Sequence, residues 1–399
     1  MDAQSKKIGV ATATIVGMNA MIGAGIFSIP AALASYVGPA GILTYAFVII
    51  AVGFMGLSMA RLAQLFPQEG SFYAYTSAWA GHTVGMVCTA AYLFGLIIAM
   101  GLLVQMTGAY LHVWVLQLSE YSLGLVSLCV IIGLNVMGVH LSQVGQFILL
   151  GCTIFPLITT IIMCLTKANM QNLTPFMPYG FNHVLSATKA VIFGFFGFES
   201  AASLFSIVEN PQKNVARALI YAIVLVGLLY LVFVGSIILA VPLHFFSNPK
   251  MAISEVLTHI FPHQEWLITI IHFSILSAII GTVHSMLWSS SVLFMTYIKL
   301  CKNAFIKSFA STITHTQAVL IIGGAIFTMF ATVKSIDLFF SLTATCVIFV
   351  FIMSMVQLLT MKSEWDSKQN IITILGLVTA GIMLFFALEG FISELGKLW

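Results

Sequence analysis

Residues 22–27 read IGAGIF and lie in the middle of the first long apolar segment of this 399-residue chain. A second glycine-rich stretch, FGFFGFES at residues 193–200, begins 171 positions later, again inside an apolar segment. Each glycine costs a helix about 1 kcal/mol relative to alanine, so both stretches favour a break in the helix. The alternative is that the glycines only let neighbouring helices pack closely. Their matching positions favour a pair of interrupted helices.

The chain around these stretches has the composition of a membrane protein. Of its residues, 60% are apolar and only 7% are charged, whereas soluble domains carry about 25% charged residues. A bilayer-spanning helix needs about 20 mostly apolar residues, and stretches such as 8–60, 70–119 and 121–166 lack any Asp, Glu, Lys or Arg. The composition predicts an all-α polytopic membrane protein in a lipid bilayer. It excludes a soluble enzyme and a nucleic-acid-binding protein.

The apolar runs predict about eleven transmembrane helices. Their ranges are 8–35, 39–64, 84–112, 121–138, 143–166, 187–208, 216–241, 265–298, 315–332, 336–361 and 370–392. Two segments between them, 67–82 and 248–261, have amphipathic spacing and are predicted to lie along the membrane surface.

Each glycine-rich stretch lies in the first helix of a block of five predicted helices, 8–166 and 187–361. Because five is odd, the second block must enter the membrane from the opposite face. The pattern predicts a five-plus-five inverted repeat with interrupted helices 1 and 6, as in secondary transporters whose substrate binds near the bilayer midplane. Residues 1–399 would form a single transmembrane domain, with 370–392 as an extra helix.

The distribution of lysine and arginine predicts the orientation in the membrane. With the N-terminus inside, ten of these residues lie on the cytoplasmic side and five on the outer side, in agreement with the positive-inside rule. Eleven helices then place the C-terminus outside. The first residues, MDAQSKK, are too short and polar for a signal peptide, and a bacterial inner (plasma) membrane is expected.

The predicted break in helix 1 suits a carboxylate. The outer half-helix would begin after Gly25, with its free N–H groups and positive dipole end at the membrane midplane. The carbonyl groups that end the other half-helices could accept hydrogen bonds from an ammonium group. Together they suit a zwitterionic amino acid and require no charged side chain.

Four side chains near the predicted breaks or in helix 8 could act in transport. Glu199 is the only carboxylate near the middle of a predicted helix, where an ionisable group is costly and by default functional. It could be a gate, a proton site or a hinge tether, or it could only cap a half-helix. His284 and Trp288 lie four residues apart on one face of helix 8, where histidine could exchange protons and indole could stack on a substrate cation. Phe193 could be an aromatic lid; all three could instead be packing or interface residues.

The sequence predicts no cofactor, metal site or chemical step. The six cysteines lie in or at the edge of apolar segments and are interpreted as small core residues, with no disulfide or metal framework. The phosphate-binding motif G-x-x-x-x-G-K-[ST] is missing from the sequence, as are the hydrolase motifs H-E-x-x-H and G-x-S-x-G. An enzyme is therefore not expected.

Three stretches carry a resemblance to a known family. They are IGAGIFSIPAALASYVGPAG at 22–41, FPQEGSFYAYTSAWAG at 66–81 and GFFGFESAASLFSIVENPQKNVARA at 194–218. They resemble the amino acid–polyamine–organocation (APC) superfamily, and ESA followed by ENPQKN resembles its basic amino acid/polyamine antiporter branch. The resemblance covers residues 8–361 and implies the LeuT-type five-plus-five fold.

The resemblance also implies roles for individual residues. Those implied to form the substrate site are Ile22, Gly23, Ala24, Gly25, Ile26, Tyr92, Phe193, Gly194, Gly197 and Trp288. Among them, the five residues of helix 1 would bind the substrate's backbone groups, and Phe193 would be an aromatic gate. Glu199, as the glutamate of the family motif, and His284 are expected to act in gating or proton coupling.

Departures from the family narrow the predicted function. Ala24 stands where some members have a hydroxyl residue, and Met100 where a polar side chain could hold an amine, which disfavours a cationic substrate. Helix 5 lacks the lysine of many proton-coupled members, which favours exchange. The sequence therefore predicts an amino acid antiporter. The alternatives are a proton-coupled symporter and a transport-inactive sensor or partner subunit.

The expected partner is a small-molecule substrate. It would be an amino acid, with its amine product as an alternative exchanged compound. The oligomeric state is left open, a homodimer being one option.

Overall fold

The computed structural model describes residues 7–23, 25–66, 71–137, 143–199, 208–246, 253–361 and 367–397. These residues are almost entirely helical, with one isolated bridge in which Ile8 pairs with Val208. The predicted all-α class is confirmed. Ala24 of the predicted substrate site lies outside the described residues, as do 200–207 in the second half of predicted helix 6.

Six helices make up the first part of the chain. They are α1 (Val10–Met21), α2 (Gly25–Val37), α3 (Gly41–Leu65), α4 (Ser71–His112), α5 (Glu120–Val136) and α6 (Gln143–Leu165). A short 3-10 helix, Gly38–Ala40, joins α2 to α3. Within α4 the chain bends at Gly81, which has φ 82° and ψ 174°.

The second part of the chain contributes nine helices to the described residues. They are α7 (Phe181–Ser186), α8 (Thr188–Phe193), α9 (Pro211–Ala240), α10 (Ile253–Ile260), α11 (Glu265–Leu300), α12 (Ala304–Thr312), α13 (His315–Thr332), α14 (Ile336–Thr360) and α15 (Ser367–Gly396). Two 3-10 helices, Met170–Leu173 and Leu243–Phe246, lie in the connections.

Length and hydropathy make this a multi-pass membrane protein. Among the described residues, seven helical segments are long and apolar enough to cross a bilayer: Gly25–Leu65, Phe72–His112, Pro211–Ala240, Glu265–Leu300, His315–Thr332, Ile336–Thr360 and Ser367–Gly396. Three shorter apolar helical segments are α1 (Val10–Met21), α5 (Glu120–Val136) and Leu150–Leu165 within α6. The count of eleven spans stays a prediction, because several predicted spans are short, interrupted or joined to a neighbour.

The first glycine-rich stretch interrupts a helix, and a helix ends at the second. Helix α1 ends at Met21 and α2 begins at Gly25, and Ile22 between them has the non-helical angles φ −78° and ψ 73°. Helix α8 ends at Phe193, and residues 194–199 form turns. Gly197 within these turns has φ 108°, a backbone conformation that other residues rarely adopt.

The two segments predicted to lie along the membrane surface are helical where the structure describes them. Residues 71–80 form the first part of α4, and α10 covers most of the second segment; 67–70 and 247–252 lie outside the described residues. The apolar side chains of both helices face the protein, as the buried Phe72, Tyr75, Val256 and Leu257 indicate. The apolar faces of both helices are therefore covered by the bundle, and their location along the membrane surface stays a prediction.

The interrupted helices lie between the longer ones. Helix α1 packs against α6, α9 and α11, whereas α8 packs against α2, α3 and α14. Helix α14 also packs along α4 and α15. This arrangement brings the two breaks to the interior of the bundle, where irregular backbone is tolerated because neighbouring protein can satisfy its polar groups.

Candidate functional site

The two helix breaks contact each other directly. A methyl group on Gly25, at the start of α2, would come within 2.9 Å of the Gly194 Cα and 3.3 Å of the Phe193 Cδ1. A methyl group on Gly197 would overlap the carbonyl oxygen of Ala20, near the end of α1. The glycines predicted from the sequence therefore permit a close backbone approach between residues far apart in the chain.

Helix α11 lies against the first break as well. A methyl group on Gly23 would come within 2.8 Å of the Thr282 Oγ1. The neighbouring Ile22 and Ile26 are buried, being 1% and 0% exposed. A helix leaves the N–H groups of its first turn without intrahelical partners, and α2 begins at this junction of α1, α8 and α11.

Tyr230 of α9 links the two breaks through its hydroxyl group. The Tyr230 Oη lies 2.9 Å from the carbonyl oxygen of Met21 and 3.1 Å from that of Gly194. Its single proton can be donated to either carbonyl, and the Met21 carbonyl oxygen also accepts from the Gly23 N–H at 2.8 Å. Sequence reasoning missed Tyr230, for which the only signal was that a hydroxyl inside an apolar span needs a partner when buried.

Glu199 and Tyr92, both predicted from the sequence, are hydrogen-bonded to each other. The Tyr92 hydroxyl donates to the Glu199 Oε1, and the Gly197 N–H donates to the Oε2 at 3.1 Å. The Glu199 residue is only 6% exposed. One carboxylate thus contacts both its own turn after α8 and the wall formed by α4.

Phe193 lies beside the start of α2 and within an aromatic cluster. Its ring centroid is 5.2 Å from that of Phe340 in α14 and 6.2 Å from that of Phe196, both in edge-on arrangements. The side chain is 7% exposed. Phe193 therefore has the position expected of an aromatic lid, although that role stays a prediction.

His284 and Trp288 of α11 have contacts with α5 and α13. The Nδ2 of Asn135 in α5 lies 2.8 Å from the Nδ1 of His284. Trp288 is 42% exposed, and its ring centroid is 6.4 Å from that of His315 in α13. The structure brings Thr282 of α11 to the first break. The predicted roles of His284 and Trp288 stay predictions.

A charged cavity of about 390 Å³ opens near the second break. Its lining comes from α2, α7, α8, α14, α15 and the residues before α14, and includes Leu33, Lys189, Ser335, Asp337, Phe340, Glu394 and Lys397. Phe340 belongs both to this lining and to the cluster around Phe193. Phe340 therefore lies between the cavity and the aromatic cluster at the second break.

Two charge pairs line this cavity. The Lys189 Nζ lies 3.5 Å from the Asp337 Oδ1. Glu394 accepts hydrogen bonds from the Ser335 hydroxyl and the Lys397 ammonium group. The bond to Glu394 raises the pKa of Lys397, which lies beyond the last spanning helix. Sequence reasoning missed this group of charges because its members come from separate helices.

Among the described residues, neither Glu199 nor the charge pairs of the cavity belong to a group of side chains that could bind a metal ion. In the parts of the chain that the structure describes, no group of three or more His, Cys, Asp or Glu side chains could hold a metal ion. The junction of the breaks instead offers backbone donors, backbone acceptors, a tyrosine hydroxyl and one carboxylate. Such a set can bind a small zwitterion by hydrogen bonds.

Comparison with known proteins gives one family and several distant relatives. A family model described as "Amino acid permease" matches residues 13–393. The chain is 25% identical over 304 residues to the branched-chain amino acid permease BcaP of Bacillus subtilis, covering 71% of this chain and 64% of that protein. It is 24% identical to the gamma-aminobutyric acid permease of Escherichia coli, covering 57% of this chain and 52% of that protein.

A third relative is the aspartate-proton symporter of Bacillus subtilis, 26% identical over 57% of this chain and 46% of that protein. The chain thus spans about half to two thirds of the length of these curated relatives.

Proposed function

This chain belongs to the amino acid permease family, and from that premise we propose that it is an amino acid antiporter working by alternating access. The relatives are named as permeases and symporters, not enzymes, so no chemical step is assigned to it. The observation that carries the proposal is the contact between two interrupted helices in the interior of a membrane bundle. Transporters built from such helices bind substrate at the interruption.

The substrate would bind at the junction of the breaks. Its carboxylate would accept hydrogen bonds from the start of α2, where the N–H groups and the positive end of the helix dipole favour an anion. Its ammonium group would donate to the carbonyl of Gly194, which has a second lone pair beside the one facing Tyr230, whereas the carbonyl of Met21 already accepts from both Tyr230 and the Gly23 N–H. Phe193 would close over the bound molecule.

The wider architecture would be a LeuT-type inverted repeat. Residues 8–166 and 187–361 would form the two blocks of five helices, and 370–392 an extra helix. The N-terminus would be cytoplasmic and the membrane a bacterial inner membrane. The paired interruptions of α1–α2 and α8 support this assignment, because an inverted repeat places its broken helices in equivalent positions.

Glu199 would couple gating to substrate binding. Its carboxylate contacts Tyr92 in α4 and the turn that follows α8. A movement of the second break relative to α4 must therefore break or remake this contact. Glu199 would act as a hinge tether between the two elements.

Proton-coupled symport is a second candidate, favoured by one observation. Glu199 is a buried carboxylate within the bundle, where a group that can gain or lose a proton often serves in coupling. In this case an inward proton gradient alone would drive accumulation, and Glu199 would carry the proton.

Uptake into proteoliposomes tests both candidates. Labelled leucine, GABA, aspartate, serine and arginine would be offered to vesicles that are empty, preloaded with the same compound, or given an inward proton gradient. The antiporter proposal expects preloading to accelerate uptake of at least one compound, with no effect of the gradient alone.

Uptake driven by the gradient into empty vesicles would replace exchange with symport. Saturable binding of a compound without uptake under any condition would instead indicate a transport-inactive sensor or partner subunit. A Glu199→Gln variant separates the candidates further, because its amide oxygen can accept from the Gly197 N–H and its NH2 group can donate to the Tyr92 oxygen, but it cannot release a proton. It should abolish gradient-driven uptake and leave exchange measurable.

A further inference from the structure

Three lysines and two carboxylates line the charged cavity: Lys189, Lys334, Lys397, Asp337 and Glu394. Lys397 is paired with Glu394, and the Lys334 Nζ lies 5.6 Å from the centroid of the Tyr121 ring. The remaining two, Lys189 and Asp337, are both partly shielded and partly accessible. The side chains of Lys189 and Asp337 are 14% and 31% exposed, and their charged atoms are 3.5 Å apart. Charge-assisted hydrogen bonds are usually about 2.7–2.9 Å long. An ammonium group has three donors and a carboxylate about four acceptor positions, so each group retains capacity for another partner. The cavity of about 390 Å³ is within the usual range of small-molecule sites, about 300–1,000 Å³.

The last helix determines where the cation lies. A methyl group on Gly390 of α15 would come within 2.5 Å of the Lys189 Nζ and 2.7 Å of the Ser341 Oγ. The ammonium group of Lys189 therefore rests against a position without a side chain. One turn further along α15, Glu394 accepts hydrogen bonds from Ser335 and Lys397. The end of α15 thus fixes one wall of the cavity.

We propose that the charged cavity is a second amino-acid-binding site, in which Lys189 pairs with the carboxylate of a zwitterionic amino acid and Asp337 with its ammonium group. The inference rests on the proposed function, since it assigns the same class of substrate to a second place on the chain. On the predicted orientation this cavity opens to the outside. The aromatic pair Phe193 and Phe340 separates it from the breaks.

The chemistry of the pair selects a zwitterion over a singly charged compound. A ligand that carries only a carboxylate would compensate Lys189 and repel Asp337, and a ligand that carries only an amine would do the reverse. Leaving one member of a partly buried ion pair without compensation is unfavourable. A zwitterion replaces both partners at once, so the site discriminates by the presence of both charges.

Equilibrium dialysis of the purified full chain in lipid nanodiscs tests this site. The probes are tritiated leucine, GABA, serine and aspartate. We expect two equivalents of at least one compound per chain in the unaltered protein. Lys189→Met and Asp337→Asn should each remove one equivalent, whereas Lys167→Met, at an exposed lysine remote from the cavity lining, should leave both. An excess of propionate or n-propylamine, each with only one of the two charges, should not displace the second equivalent.

The inference would be overturned if the unaltered protein bound only one equivalent and Lys189→Met bound the same amount. Uptake by the same preparation would still uphold the proposed function. A complete lack of binding would overturn the inference as well. Two equivalents without any uptake would retain the second site and reject the transporter. The three results are therefore distinguishable.

Two glycines of α15 provide a test that leaves every charge in place. Gly390→Ala should displace the Lys189 ammonium group and lower the affinity for the second bound equivalent by about tenfold, which corresponds to about 1.4 kcal/mol. Gly396→Ala is the matched control on the same helix, because a methyl group there meets nothing within 4 Å. Equal affinities for the two variants would reject the assigned position of Lys189.

Discussion

Replacing Tyr230 with phenylalanine removes the hydroxyl group that reaches both helix breaks and leaves the ring in place. The Tyr230 hydroxyl lies 2.9 Å from the Met21 carbonyl oxygen and 3.1 Å from that of Gly194, and the residue is 0% exposed. Water therefore cannot readily replace the lost donor. The cost of leaving a buried acceptor unsatisfied is about 1–3 kcal/mol, whereas hydrogen bonds between membrane helices average about 0.6 kcal/mol and reach about 1.7.

Together these values give an expected loss of about 1–2 kcal/mol for Tyr230→Phe. Because the Gly194 carbonyl belongs to the proposed ammonium site, the loss should appear as a rise in the KM of exchange of roughly 5- to 30-fold, at about 1.4 kcal/mol per factor of ten. The measurement is the initial rate of counterflow in proteoliposomes as a function of substrate concentration. The thermal midpoint of the purified variant should fall as well.

Tyr45 of α3 supplies the control for this prediction. Its ring centroid is 6.5 Å from that of Tyr230 in an edge-on contact, and it is equally buried. Its hydroxyl has no hydrogen-bond partner in the part of the chain that the structure describes. Tyr45→Phe should therefore leave the KM unchanged. If the two variants behave alike, the linking role of the Tyr230 hydroxyl is refuted.

Three further substitutions test the site. Gly25→Ala should abolish exchange in a correctly inserted protein, because a methyl group there would come within 2.9 Å of a backbone atom that cannot move aside. Gly53→Ala is the control and should transport normally, since the space around Gly53 is open. Equal transport by the two variants would contradict the close contact of the breaks. Tyr92→Phe removes one hydrogen-bond donor from the Glu199 carboxylate. It should lower the maximal rate of exchange by about tenfold, because a hydrogen bond to a charged group contributes about 1–2 kcal/mol. An unaltered rate would reject the role of Glu199 as a hinge tether. Trp288→Ala should raise the KM if the indole stacks on the substrate, and an unchanged KM would assign Trp288 to its contact with α13.

Local properties of the sequence determined the interrupted helices. Two glycines within a few residues weaken a helix wherever they occur, so IGAGIF and FGFFGFES predicted breaks that are present after Met21 and after Phe193. Hydropathy, which also depends on neighbouring residues only, predicted the membrane class. Glu199 and Phe193 could be singled out because a carboxylate inside an apolar run, and an aromatic residue at a break, are visible without any contact information.

The tertiary structure alone decided which groups meet. Tyr230 lies 209 positions from the carbonyl of Met21 to which it bonds, and no local pattern distinguishes it from other tyrosines in apolar helices. Tyr92 was proposed by resemblance, but its bond to Glu199 follows from the packing of α4. The ion pair of Lys189 and Asp337 joins two helices that are 148 residues apart at these positions. The periodicity of a single helix indicates which face is polar, whereas partners across the bundle depend on how all the helices pack.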